Sequence, residues 1–139
     1  MPDVVRTEIA RCVSNGGLVV AERLNRLFAH VYPPGRGPYR SSELVRALGE
    51  RGHRISPPYI SQLRTGARAN PSVEVLEGIA EFFGIRPDYL TAGDNAYVRR
   101  IDDELAWLAL SREVAVRELI TALLDVPDRA RWRLIDELA

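Results

Sequence analysis

The chain has 139 residues, 46% hydrophobic and 27% charged, the balance of a folded globular protein rather than of a disordered one. Its single cysteine, Cys12, rules out an intrachain disulfide or a thiolate metal cluster, and no apolar run approaches the roughly 18 residues a membrane span needs. The net charge of zero hides an uneven spread: from Pro34 to Ala69 seven arginines face only Glu43 and Glu50, a local +5, while from Gly93 to Ala139 seven arginines meet ten acids, a local −3.

In chain order, Val4, Val5, Ile9 and Cys12 recur at loosely helical spacing before Asn15-Gly16-Gly17, a stop signal. Residues 1–17 therefore read as an N-terminal extension, either a short extra helix or a frayed tail. Val20, Leu24, Leu27, Phe28 and Val31 then mark a helix over Leu18–Val31. His30, near its end, suits the helix dipole or the surface better than a ligand role. The run Tyr32-Pro-Pro-Gly-Arg-Gly-Pro38 ends that helix, and Ser41 or Ser42 caps a second one with Leu44, Val45 and Leu48 on its inner face. Ser56 followed by Pro57 starts a third, short helix, which buries Ile60 and Leu63 and stops at Gly66. A fourth follows Asn70-Pro71-Ser72 and ends at Gly84, and Pro87–Leu90 adds one turn.

Thr91-Ala-Gly-Asp94 reads as a boundary between a domain at 18–92 and a region at 93–139. Beyond it Val98, Ile101, Leu105 and Leu108 form the seam of a helix that packs against another helix. Val116, Leu119, Ile120, Leu123 and Leu124 continue an apolar face, and Pro127 begins a last helix with Trp132, Ile135 and Leu138. Trp107 and Trp132 read as packing anchors. No strand signal and no repeat appears, so the expected fold class is all-α.

A short helix backed by a small core, with polar groups on its outer face, fits the major groove of DNA, which is about 12 Å wide. With Ile60 and Leu63 behind, the outward positions are Pro57, Pro58, Ser61, Gln62 and Thr65. Gln62 has the donor and acceptor that adenine N6 and N7 require, and Ser61 pairs either way. Arg64 and Arg68 suit phosphate, as do Arg51, His53 and Arg54 in the connector and Arg36 in the Pro-Gly loop. Each of these residues could equally be an ordinary solvated side chain. Tyr59 either reaches a phosphate or packs partly into the core. No H-E-x-x-H, phosphate loop or G-x-S-x-G elbow is present, so neither an enzyme nor a metal or other cofactor is expected.

The stretches Pro58-Tyr-Ile-Ser-Gln-Leu-Arg-Thr-Gly-Ala-Arg-Ala-Asn-Pro-Ser-Val-Glu-Val-Leu76 and Ile79-Ala-Glu-Phe-Phe-Gly-Ile-Arg-Pro-Asp-Tyr-Leu90 resemble the Xre/phage-repressor helix-turn-helix family. Arg23-Leu-Asn-Arg-Leu-Phe28, Val31-Tyr-Pro-Pro-Gly-Arg-Gly-Pro38, Ser61-Gln-Leu-Arg64, Asp103-Glu-Leu105 and Trp107-Leu108 narrow the resemblance to the EspR regulators of actinobacteria, from about Val20 to the C-terminus. The resemblance implies a five-helix DNA-binding domain, transcriptional regulation or nucleoid organisation, and C-terminal helices that form a dimer. Gln62 then matches a base-reading glutamine and Thr65 a position near the phosphate backbone. Pro57 and Pro58 stand where such repressors often carry base-reading glutamines, so direct readout should be thinner here.

Expected base contacts are thus Pro57, Pro58, Ser61 and Gln62. Expected backbone contacts are Arg36, Arg54, Tyr59, Arg64, Thr65 and Arg68. The expected dimer interface comprises Val98, Ile101, Leu105, Trp107, Leu108, Leu119, Leu123, Trp132 and Ile135. Double-stranded DNA and a second copy of the chain are the expected partners, with no membrane, and the nucleoid of the cytoplasm is the expected location. The rival reading is a helical protein-interaction adaptor, which the basic middle region and Gln62 disfavour. The sequence is silent on a small-molecule effector.

Overall fold

A computed structural model describes residues 3–139, with side chains from Gly16 onward. The described residues form eight α-helices and no strand: α1 Asp3–His30, α2 Ser41–Glu50, α3 Pro57–Thr65, α4 Val73–Phe83, α5 Asp88–Thr91, α6 Ala96–Ser111, α7 Val114–Leu124 and α8 Asp128–Leu138.

The expected stop at Asn15-Gly16-Gly17 is absent, because α1 runs through it. Gly17 is there for proximity rather than for termination. A Cβ at that position would lie 3.1 Å from the Ala69 Cα and 3.4 Å from the Gly66 carbonyl oxygen, so a bare backbone lets α1 approach the chain leaving α3. The apolar spacing of Val4, Val5, Ile9 and Cys12 concerns side chains outside the described residues.

The start of α2 also differs from expectation. Arg40 is its N-cap, and Glu43 reaches back to accept from the Arg40 amide at 2.7 Å, leaving Ser41 inside the first turn. Ser72 caps α4 as a hydroxyl should, its Oγ accepting from the Val75 amide at 3.3 Å. Gly84, at φ +73°, ends α4, and the Ile85 amide closes back on the Ala80 carbonyl at 2.9 Å.

Two compact units divide the chain, one through Leu105 and one over Ala106–Ala139. In the first, each helix supplies the core: Leu24 and Leu27 from α1, Leu44 and Leu48 from α2, Ile60 and Leu63 from α3, Ile79 from α4 and Leu90 from α5 are all fully buried. Helices α2 and α4 cross at Gly78, where a Cβ would run into the Leu48 side chain. A mid-helix glycine costs about 1 kcal/mol of propensity relative to alanine, so close packing is the evident reason for it.

The first half of α6 belongs to this unit. Val98, Ile101 and Leu105 are buried in its core. The Tyr89 hydroxyl donates to Asp102 at 2.7 Å, and Arg26 of α1 meets the same carboxylate at 3.0 Å. Arg23 donates to the carbonyls of Tyr89 and Ala92, holding α5 against α1. Burial, followed by the bond to Asp102, pushes the Tyr89 phenol above its ordinary range.

The second unit comprises the end of α6 with α7 and α8. No residue of α7 or α8 is buried. Arg131 links the two helices by donating to the Leu123 and Val126 carbonyls, both at 3.0 Å, at the C-terminal end of α7.

Candidate nucleic-acid interface

Helix α3 is built to show one face and hide the other. Its N-cap, Ser56, makes no side-chain capping bond, because Pro57 and Pro58 remove the amide donors of the first two positions. The Tyr59 amide instead donates to the Ser56 carbonyl at 3.0 Å. Two missing donors also make this end a poor phosphate cradle. Gly66, at φ +81°, terminates the helix where an L side chain would be strained. Ile60 and Leu63 are buried, whereas Pro57, Pro58, Ser61, Gln62 and Thr65 are all exposed along the opposite face.

Helix α1 supports α3 from behind. The Asn25 amide donates to the Arg64 carbonyl at 2.8 Å, and Arg64 Nε returns a bond to Asn25 Oδ1 at 2.8 Å. Arg64 also donates to Ser41 Oγ at 3.1 Å and lies 4.3 Å from the Phe28 ring centroid. Arg64, expected to contact phosphate, is thus a half-buried clamp joining α1, α2 and α3. The planar fork of guanidinium suits several fixed acceptors at once. Asn25 was not singled out in the sequence. The available signal was a poor helix former in the middle of the apolar-periodic α1.

Arg36, also expected at phosphate, pairs with Glu43 at 2.9 Å and lies 4.3 Å from the Tyr39 ring. Tyr39 in turn packs edge-on against Phe82, so none of these partners is on α3. The hydrogen bond from Arg36, then that from the Arg40 amide, holds the Glu43 carboxyl below its ordinary value. In the connector, Arg51 is drawn away to α4, bonding the Gly78 carbonyl at 3.3 Å and Glu81 at 2.9 Å. Arg54 remains: it is exposed and has no ion-pair partner among the described residues.

Beyond Gly66 the chain folds back so that the Arg68 amide donates to the Gln62 carbonyl at 3.2 Å. The Arg68 side chain then meets Gln62 Oε1 at 3.1 Å and covers the half-exposed Tyr59 ring at 5.0 Å. Thr65 donates its hydroxyl to the same Gln62 carbonyl at 3.2 Å, so it serves to close the helix end. Gln62, Arg68, Ala67, Ala69 and Asn70 line one open recess. From Arg51 to Val73 there is no acidic residue, which leaves the surface around α3 without a carboxylate of its own segment.

The nine residues expected at a dimer interface separate into two groups. Val98, Ile101 and Leu105 are corrected to the core of the first unit, where they pack within the protomer. In the second unit Trp107, Leu119 and Trp132 are 59%, 61% and 64% exposed, Ile135 is exposed, and Leu108 and Leu123 are half-buried. Leu110, Val114, Leu124 and Leu138 extend this apolar surface beyond the expected set. Among the described residues no group of His, Cys, Asp and Glu could hold a metal ion.

The helix-turn-helix family model matches residues 45–90, from within α2 to the end of α5's buried pair. Two curated relatives, the nucleoid-associated protein EspR of Mycobacterium tuberculosis strains CDC 1551 / Oshkosh and ATCC 25618 / H37Rv, are each 43% identical over 118 residues. That match spans 85% of this chain and 88% of theirs. The chain therefore belongs to the EspR family within the Xre-type helix-turn-helix proteins, a family of DNA-binding regulators and not of enzymes.

Proposed function

We propose that this protein is a sequence-preferring, DNA-binding transcriptional regulator or nucleoid-associated protein that acts as a homodimer in the nucleoid. Helix α3 enters the major groove, with Ser61 and Gln62 at base edges and Pro57 and Pro58 in apolar contact beside them. The observation that carries this reading is the exposed polar face of α3, rigidly backed by α1 and lying within a segment free of acidic residues. Arg54 and Arg68 are the guanidiniums best placed to meet phosphate, with Tyr59 beneath the latter. That the two relatives are nucleoid-associated proteins supports the same assignment.

The dimer is supported by the second unit. It has 34 residues, Ala106–Ala139, and below about 40 residues a chain rarely buries enough surface to be stable by itself. Its exposed Trp107, Leu119, Trp132 and Ile135 would complete a core against the same residues of a second copy, as a two-fold interface requires. The DNA-binding domain accordingly runs on through the first half of α6, and the dimerisation region begins near Ala106.

Fluorescence anisotropy on labelled duplexes tests the proposal. Affinity should fall steeply with salt as counterions are released, and Arg54→Ala, which removes one phosphate contact from each protomer of the dimer, should lower the slope of log K against log salt by about 1.8. Gln62→Ala should relax preference at one base pair, by about 1–3 kcal/mol. Absence of binding to any genomic duplex at low salt would refute DNA recognition, and an equal loss on every sequence would refute base reading by Gln62.

A further inference from the structure

We infer that Pro58 is a specificity-determining residue that selects a pyrimidine bearing a C5 methyl group, which in unmodified DNA is thymine. The inference rests on the reading above, in which α3 lies in the major groove, and names the base group that the apolar start of the helix would meet.

Pro58 precedes Ser61, Gln62 and Thr65 by three, four and seven residues, so the four share one stripe of α3, and all are exposed. Ser61 and Gln62 can exchange hydrogen bonds with base edges, whereas the pyrrolidine ring has neither donor nor acceptor. The helix start around it is equally inert. Pro57 and Pro58 have no amide hydrogen, and the Tyr59 amide is occupied by the Ser56 carbonyl at 3.0 Å. The first three positions of α3 therefore offer no free backbone donor to a phosphate or a base.

An apolar surface in the major groove has few favourable contacts. Guanine N7 and O6, adenine N7 and N6, cytosine N4 and thymine O4 are all hydrogen-bonding groups, and a ring laid on any of them displaces water without replacing its bonds. The thymine C5 methyl is the one apolar substituent on that edge. Covering it removes apolar surface from water on both partners. The N-terminal residues of a recognition helix are those that approach base edges, and Pro58 stands among them. Because proline cannot sense the group at C4, the contact does not distinguish thymine from 5-methylcytosine.

The experiment takes the tightest-binding duplex from a randomised library and replaces its thymines by uracil one position at a time, which deletes the methyl and nothing else. It uses the unaltered protein first, so it does not depend on a variant that folds. Anisotropy titration should show one thymine per half-site whose replacement weakens binding by about fourfold. With a G·C pair at that position, methylating the cytosine at C5 should strengthen binding by about the same factor. Pro58→Ser should abolish both methyl effects at that position. Pro58→Val, which restores the amide hydrogen but stays apolar, should keep them and so separates the side-chain surface from the backbone. If no uracil replacement weakens binding, or if its effect persists in Pro58→Ser, the inference is wrong, and Gln62→Ala still judges the docking of α3 separately. A uracil effect without a 5-methylcytosine effect would mean that the group at C4 is read, which also overturns it. If no duplex is bound at all, the docking of α3 fails and this inference falls with it.

Discussion

The helices before and after Leu105 both carry apolar stripes, yet they solve burial in opposite ways. Up to Leu105 the apolar residues of six helices meet one another, and Leu24, Leu48, Ile60, Leu63 and Ile79 lose all contact with water. After Ala106 the apolar residues stay at the surface, and α7 and α8 bury none. A helix pair of this size has too little enclosed volume to close a core, so its hydrophobic stripe is useful only against another surface. The first unit is therefore self-sufficient, and the second leaves apolar side chains open, which the proposed dimer would cover.

Truncation should separate the two with the largest effect. A chain ending at Ser111 keeps Val98, Ile101 and Leu105 and should stay folded, sediment as a monomer, and lose about 10²–10⁴-fold in DNA affinity through lost bivalency. Ending the chain at Ala92 strips those three side chains from the core and should unfold the first unit as well. A Ser111-terminated chain that still sediments as a dimer would contradict the division.

Single core substitutions should sharpen it. Leu63→Ala should cost about 2–5 kcal/mol in denaturant unfolding at any protein concentration. Leu119→Ala, in contrast, should leave the first unit's transition in place and show its effect as a concentration-dependent shift between dimer and monomer. Gly78→Ala is the next step down. The added methyl meets Leu48, and overpacking of this kind costs about 1–3 kcal/mol, partly offset by better helix propensity. A Gly78→Ala protein that melts higher than wild type would mean that the α2–α4 crossing yields easily.

The smallest expected effect is electrostatic and confined to the first unit. The Glu43 carboxyl is held below its ordinary 4.5 by Arg36, and the Asp88 carboxyl below its ordinary 3.8 by Arg86. A depressed carboxylate value means that the folded form binds its proton more weakly. The stabilisation is therefore complete above the ordinary value and is lost as pH falls through the lowered one. The melting temperature of Glu43→Gln should lie slightly below wild type at pH 7 and converge on it toward pH 3. Parallel profiles over that range would show that the pair contributes nothing.

Helix α3 was the most legible element, with both ends where Ser56-Pro57 and Gly66 put them, since caps and prolines act within one turn. The exposed face followed from periodicity alone. Three features were not legible. Gly17 looked like a breaker because its partner, Ala69, is distant in sequence. Arg64 looked like a phosphate ligand because Asn25, Ser41 and Phe28 come from other helices. Val98, Ile101 and Leu105 looked like a dimer seam because a stripe spaced by three and four residues is the same whether its partner lies in the same chain or in another.

The sequence by itself determined where the helices lie, which of their faces are apolar, and that the middle of the chain carries an excess of arginine. These are local properties, decided by backbone sterics, capping and charge within a few residues of one another. Tertiary structure decided which arginines are consumed by internal partners and which remain at the surface, and how much of α6 belongs to the first unit. Those outcomes depend on side chains that meet from distant parts of the chain, 39 residues apart for Asn25 and Arg64 and 76 for Arg26 and Asp102, a pairing that local pattern does not encode.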